Sequence, residues 1–124
     1  MVSWRGALLN AGSDMIGDPA GDPPILLPPR DLLYRFQESS HVVYVTGERD
    51  SGHVADDLAS VLSLHHWCMF STDAIVIPRG EHEVADAATL SRAFDRLQNA
   101  QPPDPTRLAR CRADIESELS THPR

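Results

Sequence analysis

His41-Val42-Val43-Tyr44-Val45-Thr46-Gly47-Glu48-Arg49-Asp50 is the stretch whose reading decides the fold. Its apolar, β-branched run over 42–46 has the composition of a short buried strand, and Gly47 gives the backbone freedom to turn off the strand's end. Asp50 therefore falls at a strand tip. About thirty residues on the arrangement recurs: Ala74-Ile75-Val76-Ile77 is a second apolar run, and Pro78-Arg79-Gly80-Glu81-His82 follows it, so that His82 also falls at a strand tip. Between the two, Val54, Leu58, Val61, Leu62 and Cys68 recur at roughly helical spacing, which predicts an amphipathic helix over 54–68. Strand, helix, strand is a βαβ unit with parallel strands and a right-handed crossover. Parallel neighbours put both carboxyl ends on one edge of the sheet, where open α/β sheets keep their ligand sites, so Asp50 and His82 are expected side by side.

An acid and a later histidine on successive strand tips resemble the last two members of the α/β-hydrolase triad, whose chain order is nucleophile, acid, histidine. Three segments carry the resemblance: Val43-Tyr44-Val45-Thr46-Gly47-Glu48-Arg49-Asp50 is similar to the acid-bearing strand end, and Ile75-Val76-Ile77-Pro78-Arg79-Gly80-Glu81-His82-Glu83 to the histidine loop. Arg5-Gly6-Ala7-Leu8-Leu9-Asn10-Ala11-Gly12 is similar to the strand after the nucleophile helix. The resemblance covers most of 5–98 and has the flavour of esterases similar to polyhydroxybutyrate depolymerases. It implies an α/β class with a partial, parallel three-stranded sheet over 5–11, 42–46 and 74–77 and flanking helices, the carboxyl-terminal half of the fold. The nucleophile elbow Gly-x-Ser-x-Gly is absent, and the one Gly-Ser step, Gly12-Ser13, follows a strand with no helix pattern behind it. The chain's 124 residues agree with that absence, because a doubly wound domain of this kind needs roughly 200.

Composition excludes several other classes. With 11 basic and 18 acidic residues the net charge is −7, and every basic residue is arginine, scattered rather than clustered, so phosphate-backbone binding lacks its driving force. No nucleic-acid partner is expected. No run approaches the roughly eighteen apolar residues of a membrane span, and the amino terminus lacks the pattern of a signal peptide. Two cysteines far apart in sequence argue against a disulfide framework and for a reducing compartment, which together give a cytoplasmic expectation.

Along the chain, 1–100 reads as the partial hydrolase-like domain, with a Gly- and Pro-rich loop over 12–29 that holds an apolar island at Ile25-Leu26-Leu27. A short helix over 30–37 should turn Leu32, Leu33 and Phe36 inward. His41, at the beginning of its strand, lies at the wrong edge for catalysis. Asp56 and Asp57 fall in the first turn of the 54–68 helix, where they would complement its dipole; His53, three positions from Asp50, could face the same cleft but reads as a loop histidine. His65-His66-Trp67-Cys68 invites a metal reading, but adjacent helical residues point about 100° apart and no second ligand pair follows, so no metal or other cofactor is expected. A helix over 86–98, capped by Asp86, should pack on the sheet through Leu90, Ala93, Phe94 and Leu97. Residues 101–105 are a proline-rich linker. Asp104 as cap and Pro105 as first residue then open a last helix over 106–120 with Leu108, Cys111, Ile115 and Leu119 on one stripe, Arg110–Asp114 and Arg112–Glu116 pairs on its surface, and no counterpart in the resemblance.

In a working enzyme of this type His82 would take the proton of the serine hydroxyl while Asp50 holds the imidazole in the right tautomer. The oxyanion hole would belong to the missing half, so the chain alone is expected to be inactive, with a small-molecule ester as substrate only if a nucleophile-bearing half complements it. Two other readings stand beside this one: a non-catalytic interaction module or truncated gene product, and an unrelated small α/β binding domain in which Asp50 merely caps a helix and His82 is an ordinary loop residue. The unguarded edge of the 5–11 strand gives the chain a possible route to a homo-oligomer.

Overall fold

β2, His41–Gly47, is buried on both faces, and the rest of the chain is layered about it. Alternation along the strand divides its side chains. Val43 and Val45 meet Ile75, Ala85 and Ala93, with Leu90 and Leu97 packed alongside. Val42 and Tyr44 meet Leu64 and Met69 on the other face, with Phe36 and Val61 at the margin. A strand with such neighbours on both sides belongs to a parallel sheet between helices, and the composition of 42–46 follows from that burial.

The structure, a computed structural model, describes residues 6–10 as backbone and residues 27–81 and 85–121 with their side chains. The elements are β1 (Gly6–Asn10), α1 (Arg30–Ser39), β2, α2 (Ser51–His66), β3 (Thr72–Ile77), α3 (Ala87–Gln98) and α4 (Pro105–Thr121). β2 and β3 pair in parallel from Val42 opposite Thr72 to Gly47 opposite Ile77, so their carboxyl ends are level. The α/β class holds, with four helices around this parallel pair. Gly6–Asn10 runs along the other side of β2 as a backbone ladder, Gly6 opposite His41 and Asn10 opposite Val45. The expectations placed on Leu8, Leu9 and the greater part of the 12–29 loop lie outside the described side chains.

α2 corrects the sequence in two ways. It starts at Ser51 rather than 54, and it is rotated so that Asp57, Ser60 and Leu64 are buried while Leu58 and Leu62 are 49% and 70% exposed. Val61 and Leu64, which pack on Val42 and Tyr44, set the rotation, and the stripe they define passes through the two polar positions. Ser60 is accommodated because its hydroxyl donates to the Asp56 carbonyl one turn back at 2.8 Å. α3 is turned similarly: Ala93 is fully buried and Phe94 is 52% exposed. Its cap is as read, the Asp86 carboxylate accepting the Thr89 amide at 2.7 Å.

α4 is joined to the domain far more firmly than its sequence suggests. Cys68, at positive φ just beyond α2, and Cys111 form a disulfide, which corrects the expectation of two separate thiols. The bond lies within an apolar cluster of Trp67, Leu108 and Ile115, with Leu27, Phe70 and Leu119 at its border. Neither expected intrahelical pair, Arg110–Asp114 or Arg112–Glu116, is found among the ion pairs of the described residues. Arg112 donates instead to Gln37 Oε1 at 2.6 Å, to the Tyr34 carbonyl and to Glu38, while Glu116 faces Arg30 and the Tyr34 hydroxyl. Partners on α1 are reached because α4 lies across it, a relation that spacing along one helix cannot show.

Candidate functional site

Level strand ends bring two turns together at the carboxyl edge. The Glu48 amide donates to the Ile77 carbonyl at 2.9 Å, and the Arg49 amide to the Gly80 carbonyl at 2.8 Å. Across the same seam the Arg79 amide donates to Glu48 Oε1 at 3.2 Å, and Arg49 faces Glu81 at 3.5 Å. Gly47 serves close approach rather than the turn freedom first read for it, since a Cβ there would stand 2.4 Å from the Gly80 carbonyl carbon. The left-handed residue of the second turn is Arg79, at φ 62°, next to Gly80. Asp50 therefore sits on a turn bonded to residues 77–80. The expected partner, His82, lies outside the described residues.

Asp50 occupies the cap position of α2, yet its side chain accepts no hydrogen bond from the helix amides, so it is not a helix cap in the chemical sense. Its carboxylate, only 14% exposed, accepts from Nδ1 of His53 at 2.9 Å. That contact raises the His53 pKa above the ordinary imidazole value: the hydrogen bond to Asp50 is the main cause, burial opposes it, and the charges of Asp50, Asp56 and Asp57 add to it. A carboxylate on Nδ1 fixes the tautomer and orientation of the ring, as it does for a histidine that works as a base. The sequence showed the three-residue spacing but left His53 in a loop, because it began α2 at 54; with the helix starting at Ser51, Asp50 and His53 stand one turn apart and the i, i+3 relation brings them together.

Asp57 was read as a solvated first-turn acid and proves otherwise. It is fully buried, and neither carboxylate oxygen has a hydrogen-bond partner among the described residues. Burial pushes its pKa up to about 6; His53 opposes the shift, while Asp56 and Asp50 reinforce it. Thr46 Oγ1 is likewise buried without a partner, on the same face of β2 as Tyr44 and so in the same interface with α2. Among the histidines at the far end of α2, His65 Nε2 donates to the Thr72 carbonyl and His66 Nε2 to Glu118, both at 2.9 Å.

The edge thus holds a half-buried carboxylate oriented on an imidazole, two turns locked together beside it, and a fully buried second acid on the same helix. Such a group can hold and pass a proton. No helix of the described residues is long and apolar enough to cross a membrane. No protein-family model, curated protein or solved structure matches this chain, so its site has to be judged on its own geometry.

Proposed function

We propose that this chain is the acid-and-histidine half of an ester hydrolase of the α/β-hydrolase type, inactive until a nucleophile-bearing half completes it. Asp50 orients the imidazole of His82, His82 is the base, and a small-molecule ester is the substrate of the completed site. The observation that supports this most is the lock between the Asp50 turn and residues 77–80: the loop that runs on to His82 is hydrogen-bonded to the turn that carries the acid. No nucleic-acid or membrane partner enters the reading. Self-association through the 5–11 strand remains part of the proposal, whereas the Cys68–Cys111 bond removes the free-thiol argument on which the cytoplasmic expectation rested.

A second reading is favoured by one contact. Asp50 already accepts a hydrogen bond from His53, which would make His53 the imidazole that Asp50 orients. Proton-detected titration of the histidines in the wild type and in Asp50→Asn separates the two. Under the first reading the His82 pKa falls in the variant; if only His53 responds, His82 is not the partner and the hydrolase reading fails. A purified chain that hydrolyses an activated ester, with the activity lost in His82→Ala, would contradict the proposed inactivity of this half.

A further inference from the structure

Residues that play no part at the carboxyl edge collect at the opposite end of the sheet, around a cavity of about 290 Å³. His41 opens β2 there, Phe70 and Ser71 lead into β3, Asp73 belongs to β3's start, and Asp104 and Arg107 come from the linker and the first turn of α4. The cavity lies just below the usual range of small-molecule sites, roughly 300–1,000 Å³, and equals about ten water molecules at ~30 Å³ each.

Arg107 is what gives the cavity its chemistry. Arg107 is the arginine of the cavity lining, and like Arg35, Arg79, Arg92 and Arg110 it makes no ion pair among the described residues, so its charge is not already spent on a neighbouring carboxylate. Its guanidinium lies over the Phe70 ring, 3.9 Å from the centroid. Stacking occupies the face of the guanidinium and holds its plane, while the N–H groups, which lie in that plane, keep the fork that matches a carboxylate. The two acids nearby are partly engaged, Asp104 with the Thr106 amide at 3.1 Å and Asp73 opposite Arg96 at 4.0 Å.

Beside them His41 Nδ1 and Ser71 Oγ are 2.6 Å apart. Burial lowers the His41 pKa, which favours the uncharged ring. A neutral imidazole can accept the Ser71 proton or give its own Nδ1 proton to Ser71, in which case the hydroxyl proton turns toward a ligand. One uncommitted cation, two acids and a neutral polar pair suit a single negative charge better than a double one.

We infer that this amino-edge cavity binds a small monocarboxylate carrying a hydrogen-bond donor, its carboxylate on the Arg107 guanidinium and its donor directed to Asp73. The inference is independent of the hydrolase reading. It gives a function to the linker and to α4, the parts of the chain without a counterpart in the hydrolase resemblance. Titration with sodium lactate at constant ionic strength, followed through the Arg107 Nε–H and the Ser71 and Asp73 amide resonances, is the test.

Saturable shifts at millimolar concentration are expected, with affinity falling roughly ten- to hundred-fold in Arg107→Gln, as for loss of a charged hydrogen bond, and unchanged in Asp50→Asn. Arg107 is exposed, so the variant should keep the wild-type circular dichroism. Absence of saturation, shifts that persist in Arg107→Gln, or equal binding of inorganic phosphate would each overturn the inference.

Discussion

Gly47 and Gly80 meet backbone to backbone: a Cβ on Gly80 would stand 2.9 Å from the Gly47 Cα, and one on Gly47 would stand 2.4 Å from the Gly80 carbonyl carbon. Nothing at that contact is the tip of a flexible side chain, so an added methyl has to push two turns apart. Gly47→Ala should cost about 1–3 kcal/mol, the usual range for overpacking, with weaker protection of the Glu48 and Arg49 amides. Urea denaturation and hydrogen exchange measure both. An unchanged midpoint would show that the seam yields freely.

Asp57 gives the protein a pH dependence of definite sign. Its folded pKa, about 6, lies above the ordinary 3.8, so the folded state binds the proton more tightly. The resulting stability is full below pH ~4 and is lost as pH rises through ~6, to a total of about 3 kcal/mol at ~1.4 kcal/mol per pH unit. Asp57→Asn should remove that slope and be relatively more stable than the wild type at pH 8 than at pH 4. Equal slopes in the two proteins would mean that Asp57 titrates as an exposed acid.

The disulfide makes stability depend on redox conditions. Its cysteines are 43 residues apart, and the chain-entropy relation gives about 4 kcal/mol for a loop of that size, an amount that enthalpic effects can reduce. Reductant, or paired Cys68→Ser and Cys111→Ser substitution, should lower the denaturation midpoint substantially. Thiol counting on the unfolded, unreduced protein should find no free cysteine.

Arg112 anchors α4 to α1 through polar contacts of unequal weight. Gln37, 3% exposed, donates to the Trp67 carbonyl and receives Arg112 on its other amide atom. Arg112→Ala leaves that oxygen buried without its donor, at an expected cost of about 1–3 kcal/mol. Arg30→Ala, which removes an exposed pair, should cost under ~1 kcal/mol. Double-mutant cycles with Gln37→Leu would show whether the coupling runs through the amide.

The rotation of α2 can be tested with two leucines two positions apart. Leu64, 1% exposed, should lose about 2–5 kcal/mol on truncation to alanine, whereas Leu62, 70% exposed, should change stability by no more than ~0.5 kcal/mol. The reverse order would restore the orientation first read from the sequence.

These residues also show what the sequence made legible. Strand composition over 42–46 and the repeated polar tips led to the parallel pair, and Asp86, Asp104 and Pro105 marked the starts of α3 and α4, because capping chemistry is local. The rotation of α2 was illegible for the opposite reason. It requires a buried acid, which apolar periodicity places outside. The disulfide and the Arg112 contacts join residues 43 and 75 positions apart, and no pattern within one element encodes them. Of the expected site, Asp50 is found at the carboxyl edge, and His53 was left in a loop by a helix boundary set three residues too late.

The Cys68–Cys111 bond turns β3, α3 and the proline-rich linker into a closed covalent ring. A single peptide cleavage within 69–110 opens that ring without dividing the molecule. The pieces separate only when the bond is also reduced, so α4 shares the fate of the sheet under proteolysis whenever the disulfide is intact. For that reason the linker at 101–105 is no place to divide the protein into independent parts, however readily its prolines suggest a boundary.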